Sequence, residues 1–319
     1  MTREQAAASP ALPLVSIGIP TFTRASSLRR AIESAQAQTY PNLEIVVSDN
    51  GSTDDTEQIC RALCSNDVRI RYFRQDANMG PTDNFLFVLR QARGLFFMWL
   101  ADDDWVDADY VAKCVAVHRA DPGFAVVAGL AHGYLAGAPI GDGDFLNLHH
   151  PSAASRVLKY YSQVGENSIH YGVMRTAVLA KCEYPNTLGG DWILVAQMVF
   201  EGRVTTLSTT RLHRERQNST AETIASIVHV LHLPRYQHAL PAFSIARAAF
   251  LNIIRANEVF GSLGRVARYL LAVAAFVTIL FHRGLVTSAK TLVIKIIGLD
   301  RARRFKALVC KASSPNPRP

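Results

Sequence analysis

The stretch LFFMWLADDDW (95–105) decides how this chain is read. Six large apolar residues and Ala101 run without interruption into three aspartates. The apolar part has the length and aromatic content of a buried β-strand. Three carboxylates at its end repel one another, so something must compensate them. A divalent cation does this readily, because Mg²⁺ and Mn²⁺ prefer hard oxygen ligands and leave positions for substrate phosphates. A solvated acidic turn that leads into the next helix is the alternative, and Asp107 and Asp109 favour a helix start there.

Upstream, the same grammar repeats. LVSIGI (14–19) is stopped by Pro20, LEIVVS (43–48) by Asp49-Asn50-Gly51, and RIRYF (69–73) alternates. Helical patterns lie between these runs, roughly over 25–37, 54–64, 82–92 and 107–119. Asp54 followed by Glu57 looks like a helix start with an acidic reach-back. Strand, helix, strand, helix predicts right-handed βαβ units on a mostly parallel sheet flanked by helices. In such sheets ligands bind beyond the carboxyl ends of the strands. Pro20-Thr21, Asp49-Asn50-Gly51 and Asp102-Asp103-Asp104 are delivered to that edge. Taken alone, the second of these reads as a turn with a helix cap, or as a place where Asp49 accepts from a base N–H. From 122 to 234 the pattern loosens: a strand near 124–130, a Gly-rich loop at 137–143 and a helix near 191–201 are expected. There is no G-x-x-x-x-G-K-[ST] and no G-x-G-x-x-G, so no backbone cradle for phosphate is announced.

The 319 residues hold 34 Lys+Arg and 26 Asp+Glu, a formal net charge of +8. That total hides two unlike parts. Residues 1–234 carry 20 Lys+Arg against 24 Asp+Glu, a net of −4; residues 235–319 carry 14 against 2, a net of +12. With 49% hydrophobic and 19% charged residues the chain builds a full core, which excludes global disorder. Five scattered cysteines do not make a disulfide scaffold. Cys60 and Cys64 share a helical face without further zinc ligands and read as small core residues. The pairs His149-His150 and His229/His232 read as structural or surface residues.

The expected organisation is a flexible lead-in over 1–13, a catalytic α/β domain over 14–234, a basic apolar helical region over 235–312 and a frayed end over 313–319. The lead-in lacks the apolar centre of a secretory signal, which places the chain in the cytosol. Tyr269 to Phe281 is 13 residues without a charge, short of the roughly 20 that a spanning helix needs. Apolar helical faces follow, at Leu285, Ala289, Leu292 and Ile296, with Arg301, Arg303, Arg304 and Lys306 beyond. Such faces flanked by Lys and Arg suit an anionic membrane surface; packing on the catalytic core is the other reading. The tail carries no recognisable DNA- or RNA-binding motif, so no nucleic-acid partner is expected.

The order and spacing of Ile19-Pro20-Thr21-Phe22-Thr23-Arg24, Asp49 to Thr56, Asn78-Met79-Gly80 with Asn84, Ala92-Arg93-Gly94 and Leu100 to Trp105 resemble the amino-terminal half of inverting family 2 glycosyltransferases with the GT-A fold. The likeness is strong over about 14–110, weaker to about 220, and does not include the tail. It implies an enzyme of the bacterial surface-polysaccharide type that uses a nucleotide-diphosphate sugar with Mn²⁺ or Mg²⁺; a glycan or lipid-linked acceptor is expected because it would explain the membrane-seeking tail. Separately from the likeness, the lead-in and the basic apolar tail give the expected location: cytoplasmic, peripheral on the inner face of the cell membrane. Carried over residue by residue, the likeness makes Pro20, Thr21 and Asp49 base contacts and Arg24 a diphosphate or base-side contact. Asn78 and Arg93 join the donor site. Asp102 falls on the ribose side, Asp103 becomes the main metal ligand and Asp104 a supporting or donor-sugar contact. His213, in the basic run RLHRER (211–216), becomes a second contact to metal or diphosphate, and Arg214 or Arg216 a further one. The family's base, an acid at a helix start in the second half, falls on Asp191 in Gly189-Gly190-Asp191-Trp192. The chain departs from the pattern twice: Ala101 and Gly190 stand where acids are common. These departures keep a non-catalytic nucleotide-sugar-binding protein open. A sugar nucleotidyltransferase would show a Gly-rich basic loop after the first strand, which Ile19-Pro20-Thr21-Phe22 lacks.

Overall fold

A computed structural model describes residues 11–216, 220–255 and 257–285. Most of the lead-in, the faces at Ala289, Leu292 and Ile296, the basic cluster 301–306 and the end 313–319 lie outside the described residues, as does the side chain of Arg216.

The amino-terminal half follows the expected alternation. It runs β1 (Val15–Thr21), α1 (Ala25–Gln36), β2 (Leu43–Asp49), α2 (Thr56–Asn66), β3 (Ile70–Arg74), α3 (Pro81–Gln91), β4 (Phe96–Trp99), the short β5 (Trp105–Val106) and α4 (Tyr110–Ala120). Every residue of β1, β2 and β4 is buried, because helices cover both faces of this parallel part of the sheet. The helix α1 turns Leu28, Ala31, Ile32 and Ala35 inward, the spacing of one helical face. Gly18 lets Phe97 and Val88 approach: a Cβ there would lie 2.7 Å from the Phe97 ring. At α2 the expected reach-back does not occur. Asp54 itself accepts from the Thr56 amide, while Glu57 pairs with Arg61 and Arg74.

The second half comprises β6 (Phe124–Leu135), β7 (Ala138–Asp142), β8 (Asn147–Leu148), α5 (Ala153–Gln163), a 3-10 turn (Ser168–Tyr171), β9 (Val173–Arg175), α6 (Thr176–Leu179), α7 (Gly190–Glu201) and β10 (Arg203–Arg216). The stretch expected as a Gly-rich loop is in fact the strand β7. Ala136 and Gly137 both take positive φ, 50° and 77°, which is the backbone of a tight hairpin returning onto β6. The single sheet has the order β3-β2-β1-β4-β9-β6-β10-β5, with β7 on β6 and β8 on β10. Pairing is parallel for β1–β2, β2–β3, β1–β4 and β6–β10. A register shift between Leu207 and Arg211 displaces the end of β10, which then pairs antiparallel with β5 at Leu212–Val106 and His213–Trp105. This carries the 211–216 run across to the acidic motif.

The remaining helices are α8 (Thr220–Val230), α9 (Arg235–Ala239), α10 (Pro241–Ile254) and α11 (Arg265–Ile279), the last continuing as a wider turn over Leu280–Leu285. Ala246, Ala249 and Ile253 of α10 and Leu271, Ala272, Ala275 and Ile279 of α11 join the same core as Trp99, Tyr160 and Trp192. Residues 241–279 are thus built onto the α/β body by one face. The other face of α11 is apolar and exposed at Val266, Tyr269, Leu270 and Val277. By length and composition the helical stretch Arg265–Arg283 is long and apolar enough to cross a membrane, a longer element than the uncharged run alone indicates.

Candidate active site

The carboxyl ends of β1, β2 and β4 meet because Thr21 pairs with Asp49 and Gly18 with Trp99. Two buried asparagines lace this edge. Asn84 donates to the Thr21 and Ser48 carbonyls, and Asn50 donates to Asn78 Oδ1 while accepting from the Met79 amide. Asn78 is therefore part of the wall beside Asp49. The Asp49 carboxylate is fully buried and already engaged: Ser52 N–H, the Tyr72 hydroxyl and Arg74 donate to it at 2.8, 2.8 and 3.1 Å. In this arrangement it braces the loop after β2. The Thr21 hydroxyl, also buried, has no partner of ordinary hydrogen-bond geometry, yet it lies near enough to Asp102 to favour the ionised carboxylate.

The acidic motif follows β4 in a turn closed by the Asp104 amide on the Ala101 carbonyl. Its three carboxylates sit in different settings. Asp103 is partly exposed and pairs with Arg24 at 2.9 Å, while Arg30 donates to its carbonyl and stacks on Trp105. Burial, and the charge of Asp103, push Asp102 up to about 6. Asp104 is buried against Arg214 of β10, 3.3 Å away, and accepts from the Glu215 amide. Burial raises the Asp104 pKa in spite of that pull. Burial also works against the Arg214 charge, but Asp104, Tyr171 and Glu166 more than offset it. Arg214 further packs over the Tyr171 ring and donates to the Glu166 carbonyl, so it ties the acidic motif to the loop ahead of the 3-10 turn.

Asp191 stands in the first turn of α7, at a cleft of about 180 Å³ lined by Phe85, His170, Tyr171, Tyr184 and Ile227 among others. Desolvation raises its pKa; a hydrogen bond from Asn167 and the Trp192 amide pull the other way. The aromatic lining suits the apolar face of a sugar ring. Gly190 explains the missing second acid. A Cβ there would lie 2.2 Å from the Pro185 carbonyl oxygen, so no side chain fits.

Arg93, expected in the donor site, and His213, expected at the metal or diphosphate, are placed otherwise. Arg93 precedes β4, and its amide donates to Glu44 and Ser16 at the amino-terminal edge of the sheet. That is the opposite edge from the acidic motif, because an αβ connection in a parallel unit arrives at the start of a strand. His213 stacks on Trp105, with Nε2 2.9 Å from Asp107 and Nδ1 3.1 Å from the Tyr134 hydroxyl. Both ring nitrogens are occupied, so it supports the wall rather than presenting a ligand atom. Among the described residues no three His, Cys, Asp or Glu groups stand together as a metal cage. The hard oxygens of Asp102 and Asp103 nonetheless fit a cation that takes most of its other ligands from phosphates and water. Sequence reasoning passed over Asn167, which has no motif around it, and left Arg214 as one of several basic residues.

Comparison with known proteins bears on the family and the fold. Residues 16–181 match the model for "Glycosyl transferase family 2". The chain is 40% identical over 119 residues to GalNAc(5)-diNAcBac-PP-undecaprenol beta-1,3-glucosyltransferase of Campylobacter jejuni, which covers 37% of this chain and 38% of that protein. It is 36% identical over 117 residues to chondroitin synthase of Escherichia coli, covering 36% of this chain and 17% of that one. The matches thus span well under two thirds of either relative. Among solved structures, S. aureus TarS in complex with UDP-GlcNAc superposes with a TM-score of 0.61 at 18% identity, over 84% of this chain and 72% of that one. The mannosyltransferase PcManGT of Pyrobaculum calidifontis, in complex with GDP-Man and Mn2+, gives 0.53 at 16% identity, over 95% and 81%. These likenesses carry the fold, a mixed α/β sheet flanked by helices of the GT-A kind. Since the family model covers more than half of its length, the chain belongs to glycosyl transferase family 2.

Proposed function

We propose that this protein moves a sugar from a nucleoside-diphosphate donor to a hydroxyl of a lipid-linked glycan, with inversion at the anomeric carbon. The observation that carries the reading is Asp191: one carboxylate in an aromatic cleft, oriented by a side-chain amide and linked through Arg214 to the acidic motif. The strand ends with Thr21 and Asn78 receive the nucleoside; Asp49, buried behind them, holds their loop in place. Asp191 accepts the proton of the acceptor hydroxyl, and that oxygen attacks the anomeric carbon as the diphosphate leaves. Mn²⁺ or Mg²⁺, held by Asp103 with Asp102 beside it, would offset the charge gathering on the departing diphosphate. Arg24 adds a positive charge at the same place. A lipid-diphosphate acceptor is favoured by the name of the Campylobacter relative. UDP-GlcNAc, UDP-glucose and GDP-mannose, each with Mn²⁺, test the donor side by thermal shift. At 100 times its dissociation constant a true donor adds about 2.7 kcal/mol of stability. A flat response to all three and to their nucleoside diphosphates overturns the reading.

The same proposal places the protein on the cytoplasmic face of a membrane. Support comes from the exposed stripe Val266, Tyr269, Leu270 and Val277 on α11, the adjacent Arg265 and Arg268, and the net +12 of residues 235–319. The full chain is expected to co-sediment with phosphatidylglycerol vesicles at low salt, and Leu270→Glu to reduce the bound fraction severalfold. A full chain that stays in the supernatant overturns this part.

A further inference from the structure

Asn167 donates a side-chain hydrogen bond to Asp191, and it does so from an unusual backbone. Its φ and ψ are 52° and 37°, the left-handed region, and the residue is 1% exposed. Few non-glycine residues sit there without a compensating interaction. The side-chain amide has a defined orientation. The Tyr160 hydroxyl donates to Oδ1 at 2.7 Å, which turns Nδ2 toward Asp191 Oδ2, also at 2.7 Å. The reverse orientation would set the amide oxygen against a carboxylate and leave the Tyr160 proton facing an amide N–H.

The backbone that presents Asn167 is held from two sides. One oxygen of Asp144 accepts the consecutive N–H groups of Gly165, Glu166 and Asn167 at 2.7, 2.8 and 3.0 Å. Gly165 permits this close approach, since a Cβ there would come within 2.5 Å of the Asp144 carboxylate. On the other side, Arg283 donates to the Val164 and Gly165 carbonyls at 2.8 Å and stacks 4.1 Å over the ring of Trp192, the neighbour of Asp191. Arg283 and α7 both lie beyond the residues matched to the family model. Two separated residues, Asp144 and Arg283, thus hold the 164–167 backbone from which Asn167 reaches Asp191.

We propose that Asn167 is the positioning residue of the Asp191 carboxylate, locked by Tyr160 and by the Asp144–Arg283 brace so that one carboxylate oxygen is tied and the other faces the acceptor hydroxyl. This rests on Asp191 being the base. The amide also favours the ionised form of Asp191, which burial disfavours. The other ionisable groups that face Asp191 are Arg214 of β10, Tyr160 of α5, Tyr171 and Tyr184, with His170 lining the cleft. The tyrosines are held neutral by burial, and burial holds His170 near 3, so of these Arg214 alone is charged around neutral pH.

The test is Asn167→Gly, because glycine keeps the left-handed backbone without strain and removes only the amide. Release of nucleoside diphosphate from the donor that best stabilises the chain gives kcat and KM across pH. The variant is expected to lose about tenfold or more in kcat with the donor KM nearly unchanged. The acid limb of its kcat profile moves to higher pH, because a carboxylate that loses a donor is protonated more easily. Tyr160→Phe, which frees the amide to turn, gives a smaller change of the same sign. Asn167→Gly adds nothing further in an Asp191→Asn background. A folded Asn167→Gly with unaltered kcat and acid limb overturns the proposal; if that variant does not fold, an unaltered Tyr160→Phe does so. Turnover that survives Asp191→Asn overturns the base assignment instead, whatever the other two variants do.

Discussion

Asp191→Asn is expected to lower kcat by about 10²–10⁴, the range for loss of a positioned general base. Amide and carboxyl are nearly isosteric, so the first turn of α7 and the cleft wall are retained. Donor-induced thermal stabilisation should match that of the parent chain, because in the proposed reaction Asp191 acts on the acceptor hydroxyl and not on the nucleoside diphosphate. The pH profile adds a second check. Burial puts the Asp191 pKa above the usual carboxylate range. The base must be ionised, so kcat of the parent chain falls as pH drops through that raised pKa. The variant has no such group, and its residual rate should lack that limb. Near-normal transfer by Asp191→Asn removes the residue from the role.

Asp103→Ala is expected to lose about 10²–10³ in turnover and most of the extra stabilisation that Mn²⁺ gives the donor complex. Asp103 is partly exposed, and its charge is shared with Arg24 at 2.9 Å. Without it, Arg24 still attracts the diphosphate, so donor binding in the absence of divalent ions changes little. The comparison that decides is therefore donor with and without Mn²⁺ in each protein. Asp102 should respond as well: relieved of the Asp103 charge, which raises its pKa, it becomes easier to ionise. If donor stabilisation is equally Mn²⁺-dependent in parent and variant, Asp103 is not the ligand.

The amino-terminal half of the fold was legible because β1, β2 and β4 are buried on both faces and so read as unbroken apolar runs. The polar residues that stop these runs lie at one edge by parallel topology, which is why Thr21, Asp49 and the aspartates of the acidic motif fall together. Arg93 shows the limit of motif order. It belongs to the same sequence pattern, yet the loop that carries it enters a strand rather than leaves one. His213 shows another: a basic run does not reveal which member stacks on Trp105 and which, here Arg214, turns inward to Asp104. Asn167 was beyond reach for a physical reason. Its function depends on a left-handed backbone, fixed by Asp144 upstream and by Arg283 more than a hundred residues downstream. Nothing local in Glu166-Asn167-Ser168 encodes that.

Gly190 has a consequence for how this lineage can change. Its backbone is pressed against the Pro185 carbonyl, and even a methyl group would collide. A mutational drift that replaced Asp191 could not be repaired by an acid appearing one position earlier, the simplest genetic remedy. Suppressors would have to rebuild the 184–190 loop first, which takes several coordinated changes. With Asp191 in its proposed role, activity rests on one carboxylate, and selection should keep the codon for residue 191 under tighter constraint than a site with two adjacent carboxylates experiences.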